Sequence, residues 1–269
     1  MKAGASWCKA ILASALLWMA CQAAHAGRTC AAPHPPKAQA IERSLVLAER
    51  TLKALDDSGA QVVVLARAGQ DLSAYGLRYS HLGFAYQQAD GQGGHVWRVL
   101  HKLNQCGTAD AALYRQGLGE FFLDDLWRWE AAWVVPSRDV QGRLLALLQD
   151  SARSVRLNVR PYSMVSYAWG QKYQQSNQWA IETLALAMEP AVNNRQQAQA
   201  WLQFRGYQPT TLTIGPLTRL GARATAANVA FDDHPNEKRF SNRIETVTVD
   251  SVFDWLREAG LGGTVQEVR

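Results

Sequence analysis

The sequence is poor in three things, and each shortage removes a class of function. It has no apolar run of the roughly 20 residues needed to cross a bilayer as a helix, so no membrane-spanning segment is expected in the mature chain. It has little excess charge: 28 basic against 23 acidic residues give a formal net charge of +5, too mild a balance to imply a nucleic-acid partner. It also lacks spaced ligand sets. The acidic groups Asp124-Asp125 and Asp232-Asp233-His234 read as turns or a solvated acidic face, so neither a metal nor any other cofactor is expected. No internal repeat or low-complexity tract is visible.

The N-terminus, by contrast, carries a signal. Lys2 and Lys9 form a charged region, residues 10–20 an apolar stretch, and Ala24-His25-Ala26 a small-residue site before Gly27. This is the pattern of a secretory signal peptide over residues 1–26, cleaved after Ala26. A retained anchor would need a longer apolar run, and a lipoprotein site at Cys21 would place the bulky Trp18 where a small aliphatic residue belongs. Cleavage takes two lysines, lowers the net charge from +5 to +3 and leaves 243 residues (269 − 26). That length suits a single domain over residues 27–269 in the periplasm or outside the cell. Cys8 and Cys21 leave with the signal, so Cys30 and Cys106 are the expected disulfide of an oxidising compartment.

Periodicity then orders the chain. Ile41, Leu45, Ala48, Leu52 and Leu55 make one stripe of a helix ending near Gly59. Residues 61–68, 77–88 and 95–103 read as strands, the last two joined by Asp90-Gly91-Gln92-Gly93-Gly94 as a hairpin. Residues 107–125 read as turn-rich, 129–135 as a strand, and 139–149, 177–188 and 195–204 as helices. Beyond these come turns, a strand over 244–249 and a helix from about Ser251 to Gly260. Strands and helices alternate irregularly, which predicts an α+β fold with an antiparallel sheet packed against helices.

Both hairpin strands carry a histidine, His81 in Ser80-His81-Leu82-Gly83 and His101 in Leu100-His101-Lys102. A three-residue loop puts them directly opposite; a five-residue loop puts them diagonal but on one face; a four-residue loop separates them onto two faces. On one face they form a general base and a group to orient it, as hydroxyl or thiol activation requires. The candidate nucleophile is Ser176, just before the 177–188 helix, where unpaired N–H groups can stabilise an oxyanion. The plainer readings are a helix N-cap for Ser176 and hydrogen-bonded core histidines for His81 and His101.

The blocks His101-Lys102-Leu103-Asn104-Gln105-Cys106-Gly107-Thr108, Leu113-Tyr114-Arg115-Gln116-Gly117-Leu118, Tyr162-Ser163-Met164-Val165 and the segment 173–179 resemble the exported bacterial family called domain of unknown function 2145. More distantly, the order of histidine strand, hairpin, second histidine strand and late helix resembles the circularly permuted branch of the papain-like NlpC/P60 superfamily, which includes relatives of lecithin retinol acyltransferase. That likeness implies a permuted papain-like core, with His81 as base, His101 as orienter and Ser176 at the position where the superfamily carries cysteine.

Two functions remain open at this point. One is a hydrolase or acyltransferase acting on an amide or ester of a cell-wall or lipid-derived ligand. The other is a non-catalytic envelope binding or assembly protein on the same fold.

Overall fold

The computed structural model describes residues 37–269, so the expected signal peptide and Cys30 lie outside the described residues. The first element is helix α1 (Ala38–Asp57), whose buried side is Ser44, Leu47, Ala48, Thr51 and Leu55. Its end is set by Gly59 at φ 64°, a conformation glycine adopts without steric cost.

At the centre stands β1 (Val62–Arg67), buried along its whole length. Its Val/Leu run does not alternate with polar residues because the sheet is covered on both faces. Val62, Val64 and Ala66 enter one apolar cluster, and Val63 and Leu65 another. Around β1 lie β2 (His81–Ala89), β3 (His95–Asn104), β4 (Ala111–Gly117), β5 (Ala131–Val134) and β8 (Gln266–Val268). They form a six-stranded sheet in the order β4-β3-β2-β1-β5-β8, antiparallel at every pairing. One face is covered by α3 (Arg138–Gln149), α5 (Ser176–Met188), α6 (Arg195–Phe204) and α9 (Val249–Glu258); the other by α1 and the short α2 (Leu118–Phe122). A one-turn helix, α4 (Ser151–Ser154), follows α3. This is the α+β architecture the sequence implies.

A smaller unit stands beside the end of the sheet. The strands β6 (Thr210–Thr213) and β7 (Arg243–Thr246) pair antiparallel and pack with α7 (Pro216–Thr225) around Leu212, Ile214, Ala222, Phe231 and Ile244; α8 (Asn236–Arg239) lies between α7 and β7 in sequence.

The hairpin resolves the question of register. Ala89 pairs with His95 and Gly83 with His101, so the loop has five residues, as the diagonal arrangement requires. Asp90 closes it: its Oδ1 accepts from the backbone N–H of Gln92 at 2.7 Å and of Gly94 at 3.0 Å.

Several boundaries differ from those read in the sequence. Residues 107–125 hold β4 and α2 rather than turns alone; β4 is an edge strand with one fully buried residue, so alternation is nearly absent from it. The strand expected from residue 77 begins at His81. The strand read over 244–249 ends at Thr246, and α9 starts at Val249, capped by Thr248, whose Oγ1 accepts from Ser251 N–H at 3.1 Å. The turns expected between α6 and β7 contain β6 and α7.

Candidate active site

Strand alternation decides which way the hairpin histidines point. Leu82, Phe84 and Tyr86 face the α5 layer, where Phe84 meets Trp179 edge-on at 5.8 Å between centroids. His81 and His101 therefore point to the opposite face, against Phe121 of α2, at 6.0 and 5.0 Å. Gly83 lies between them with no room for a side chain: a Cβ there would lie 3.0 Å from the Cβ of His101. The glycine of the Ser-His-Leu-Gly segment is thus a close-approach residue, required by Val99 and His101 on the neighbouring strand, since a Cβ there would lie 2.8 Å from Val99 Cγ1.

The two rings stand nearly perpendicular, and His81 Nε2 lies 2.9 Å from His101 Nδ1. His101 Nε2 in turn lies 2.7 Å from Gln116 Oε1, supplied by β4. These contacts define a direction. Gln116 Oε1 only accepts, so His101 donates from Nε2; a neutral His101 then accepts at Nδ1, and His81 donates from Nε2. The lone pair of His81 is left on Nδ1, which has no hydrogen-bond partner among the described residues.

Electrostatics keep both rings neutral. Burial holds His81 well below the usual histidine pKa, helped by the positive charge of Arg67 and by His101. Burial, again with Arg67, lowers His101 to about 4, while its bond to Gln116 and the charge of Asp124 act the other way. Arg67 faces His81 across the β1–β2 pairing. Its guanidinium is buried, donates to the Phe121 carbonyl, and forms an ion pair with Asp124 at 2.5 Å. It also lies 4.7 Å from the Phe121 ring centroid.

The relay opens on a cavity of about 710 Å³ lined by His81, Gln116, Asp124, Tyr162, Ser176 and Asn177 among others. Ser176 is the first residue of α5, and the N-cap is Gln175, whose Oε1 accepts from Asn177 N–H at 2.8 Å. The sequence reading placed Ser176 just before the helix, as its possible cap. The cap role falls to Gln175 because its side chain is anchored on the far side, donating to the Val247 carbonyl.

Asn177 latches this helix start to the histidine strand. Its Oδ1 accepts from Leu82 N–H at 2.9 Å and its Nδ2 donates to the Ser80 carbonyl at 3.4 Å, the two residues flanking His81. Ser176 is buried within the cavity wall and contacts the Tyr162 hydroxyl, whose pKa burial raises and Ser176 opposes. No hydrogen bond joins Ser176 to His81 among the described residues. Both line the cavity, His81 from the sheet face that meets Phe121 and Ser176 from the helix covering the other face.

Beneath α5 lies a second polar group, fully buried. Glu182 accepts from Arg195 (2.8 and 3.1 Å), Gln199 (2.7 Å) and Gln174 (2.6 Å). Arg195 also holds the carbonyls of Gly170, Gln171 and Tyr173, which fixes the loop leading into Ser176. Lys102, next to His101 but on the opposite face, donates to Val159 O and Gln174 Oε1 at 2.5 and 2.8 Å, and burial lowers its pKa to about 7.

The remaining acidic groups are structural. Asp232 pairs with Lys172 at 2.5 Å; Asp233 holds His234 at 2.9 Å and the Tyr167 N–H at 2.8 Å. Among the described residues no group of three His, Cys, Asp or Glu side chains is placed to hold a metal ion. Cys106 lines the cavity just beyond β3, and its expected partner Cys30 lies outside the described residues.

Sequence reading missed Arg67, Gln116, Tyr162 and Asn177. Arg67 was visible as a cation near the end of the apolar strand read over 61–68; Gln116, Tyr162 and Asn177 lie in the blocks that carry the family resemblance, but no periodicity there reports their geometry.

Fold and site together define an α+β protein with a buried imidazole relay opening on a cavity capped by a helix N-terminus. Residues 54–256 match the family described as an uncharacterized protein conserved in bacteria, DUF2145, and the chain belongs to that family. No curated protein and no solved structure matches it.

Proposed function

We propose that this protein is an exported hydrolase or acyltransferase acting on an amide or ester of the cell envelope. The observation that carries the reading is the polarity of the relay, which leaves the Nδ1 lone pair of His81 at a cavity that Ser176 also lines. In this reaction Ser176 Oγ bonds to the substrate carbonyl carbon while its proton passes to His81 Nδ1. The leaving amine or alcohol takes that proton as the acyl bond breaks, and water or an acceptor alcohol releases the acyl group from Ser176. His101 orients the base, and Gln116 fixes its tautomer. The backbone N–H of Ser176, at the first position of α5, can take the developing oxyanion. The likeness in strand and helix order to permuted papain-like proteins supports the same assignment of roles, with a hydroxyl where those proteins use a thiol.

A second reading is a binding or assembly protein on the same framework. It is favoured by the contact of Ser176 with Tyr162 and by the separation of Ser176 and His81 onto two faces of the sheet. For catalysis the two must come within hydrogen-bond reach of each other when substrate binds.

Labelling separates the two readings. Serine-directed fluorophosphonate and cysteine-directed acylating probes are applied to the wild type, Ser176→Ala, Ser176→Cys and His81→Ala. Catalysis predicts wild-type labelling that Ser176→Ala abolishes and His81→Ala reduces by about 10²-fold or more, with Ser176→Cys reacting with the thiol probe in a His81-dependent way. An inert wild type and an inert Ser176→Cys, both folded, leave the binding reading. Export and the Cys30–Cys106 bond belong to the same proposal, as does a single domain over 27–269. N-terminal sequencing and mass mapping without reductant test cleavage after Ala26 and the bond.

A further inference from the structure

Helix α7 carries apolar residues on the side away from the protein. At 100° per residue, Thr218, Arg219 and Ala222 fall on one side and Leu217, Leu220, Gly221 and Ala224 on the other. The inner side is accounted for. Ala222 is buried in the small core, Thr218 and Ala222 line the cavity, and Arg219 donates to the Arg239 carbonyl. The outer side is open to solvent, with Leu217 83% and Leu220 67% exposed. Phe240, one residue beyond the carbonyl that holds Arg219, is 71% exposed. Scattered exposed apolar residues need no explanation, but two leucines standing out from one helix face, with an exposed aromatic in the same small unit, do.

The surrounding charge says what would cover it. From residue 205 to 231 the sequence contains Arg205, Arg219 and Arg223 and no acidic residue. Of the acids that follow, Asp232 is held by Lys172, Asp233 by His234, and Glu245 by Lys238. Of the acids from Asp232 to Glu245, Glu237 on α8 is the one without an ion pair among the described residues, whereas Arg223 and Arg243 are exposed and likewise have none. A second copy of this chain docked symmetrically would bring these cations toward one another. A surface that offers apolar depth beneath a layer of negative charge answers both features.

We infer that α7 and Phe240 form an interfacial face that seats the protein on an anionic lipid bilayer, with Leu217, Leu220 and Phe240 entering the acyl boundary and Arg223 and Arg243 meeting the headgroups. Because the inner side of the same helix lines the cavity, the seated protein presents that cavity next to the membrane. The inference stands on the surface alone and does not depend on His81 or Ser176 being catalytic.

The test is flotation of the full chain, purified as the cell processes it, with vesicles of phosphatidylcholine alone or mixed with phosphatidylglycerol. Wild type should float with the mixed vesicles and poorly with the neutral ones. Leu217→Ser/Leu220→Ser should weaken partitioning by roughly tenfold or more, and Arg223→Glu and Arg243→Glu by about fivefold each. All four positions are exposed, so unchanged thermal melting confirms that the variants fold. Absence of flotation, or flotation equal for wild type and variants, would overturn the inference. So would a dimer in sedimentation equilibrium that Leu217→Ser/Leu220→Ser dissociates, since the face would then belong to a second copy.

Discussion

Two buried polar groups flank strand β3 on opposite faces, and they differ in one respect that separates structure from chemistry. Under α5, the cluster of Glu182, Arg195, Gln199, Gln174 and Lys102 is closed: Glu182 and Arg195 are paired, and Lys102 donates to Val159 O and Gln174 Oε1. Across the sheet, His81, His101 and Gln116 form an open chain that ends on an unanswered imidazole nitrogen at a cavity. A dry network with every partner in place specifies a conformation. A network with one unsatisfied end leaves a group that a ligand or a proton could still engage.

The largest effect that tests this contrast should come from the closed side. Glu182→Ala leaves the Arg195 guanidinium buried without its counter-charge, and breaking a buried pair costs about 3–5 kcal/mol. Its urea midpoint should fall accordingly. His81→Ala should move that midpoint far less while removing probe labelling. Equal destabilisation by both would erase the distinction.

Next in size is a pH effect on the open side. Both relay histidines are held below the usual value near 6.5, His101 at about 4. Between those pH values the unfolded chain binds more protons than the folded one, so stability is complete above about pH 6.5 and is lost as pH falls. For His101 alone the loss is on the order of 3 kcal/mol. Melting temperatures from pH 8 to 4 should drop less steeply in His101→Gln than in the wild type; parallel curves would mean His101 is not held neutral by the fold.

This contrast was half legible in the sequence. Hairpin parity depended on loop length, and Asp90 with the three glycines that follow it in the loop made five residues a calculable option, so the histidine pair could be anticipated. The fold class followed from irregular alternation of strands and helices. Gln116 could not be placed, because β4 buries only Ala111 fully and shows almost no periodicity. Arg67 read as the end of a strand; its proximity to His81 arises from the β1–β2 register, which joins residues 14 apart (81 − 67) through an irregular connection. Ser176 was found as a helix start, but no sequence feature reports that α5 and the histidines lie on opposite faces of the sheet.

A smaller effect is expected where the two faces are joined. Asn177→Ala removes the acceptor for the buried Leu82 N–H and frees the helix start from the histidine strand. An unsatisfied buried donor costs about 1–3 kcal/mol, and Asn177→Asp, which keeps an acceptor oxygen, should recover part of it. Hydrogen exchange of the Leu82 amide reads the latch directly. Exchange unchanged in Asn177→Ala would show that the helix start is held by Gln175 alone.

The smallest effect is the most diagnostic, because it concerns only the direction of the relay. Gln116→Leu removes the acceptor that makes His101 donate from Nε2. Its imidazole can then present either tautomer to His81, and the lone pair of His81 is no longer confined to Nδ1. If the relay works as a chain, probe labelling should fall by about tenfold, equivalent to roughly 1.4 kcal/mol of barrier, with little change in melting temperature. Gln116→Glu keeps an acceptor at the same position and should retain most of the wild-type rate. Nitrogen-15 shifts of the imidazoles supply a readout that a purely structural role would not move. In the wild type His81 should show a protonated Nε2 and a bare Nδ1, and in Gln116→Leu a mixture of both forms. A bare Nε2 on His81 in the wild type would reverse the relay, aim an N–H rather than a lone pair into the cavity, and turn the open network from a base into a hydrogen-bond donor for a bound ligand.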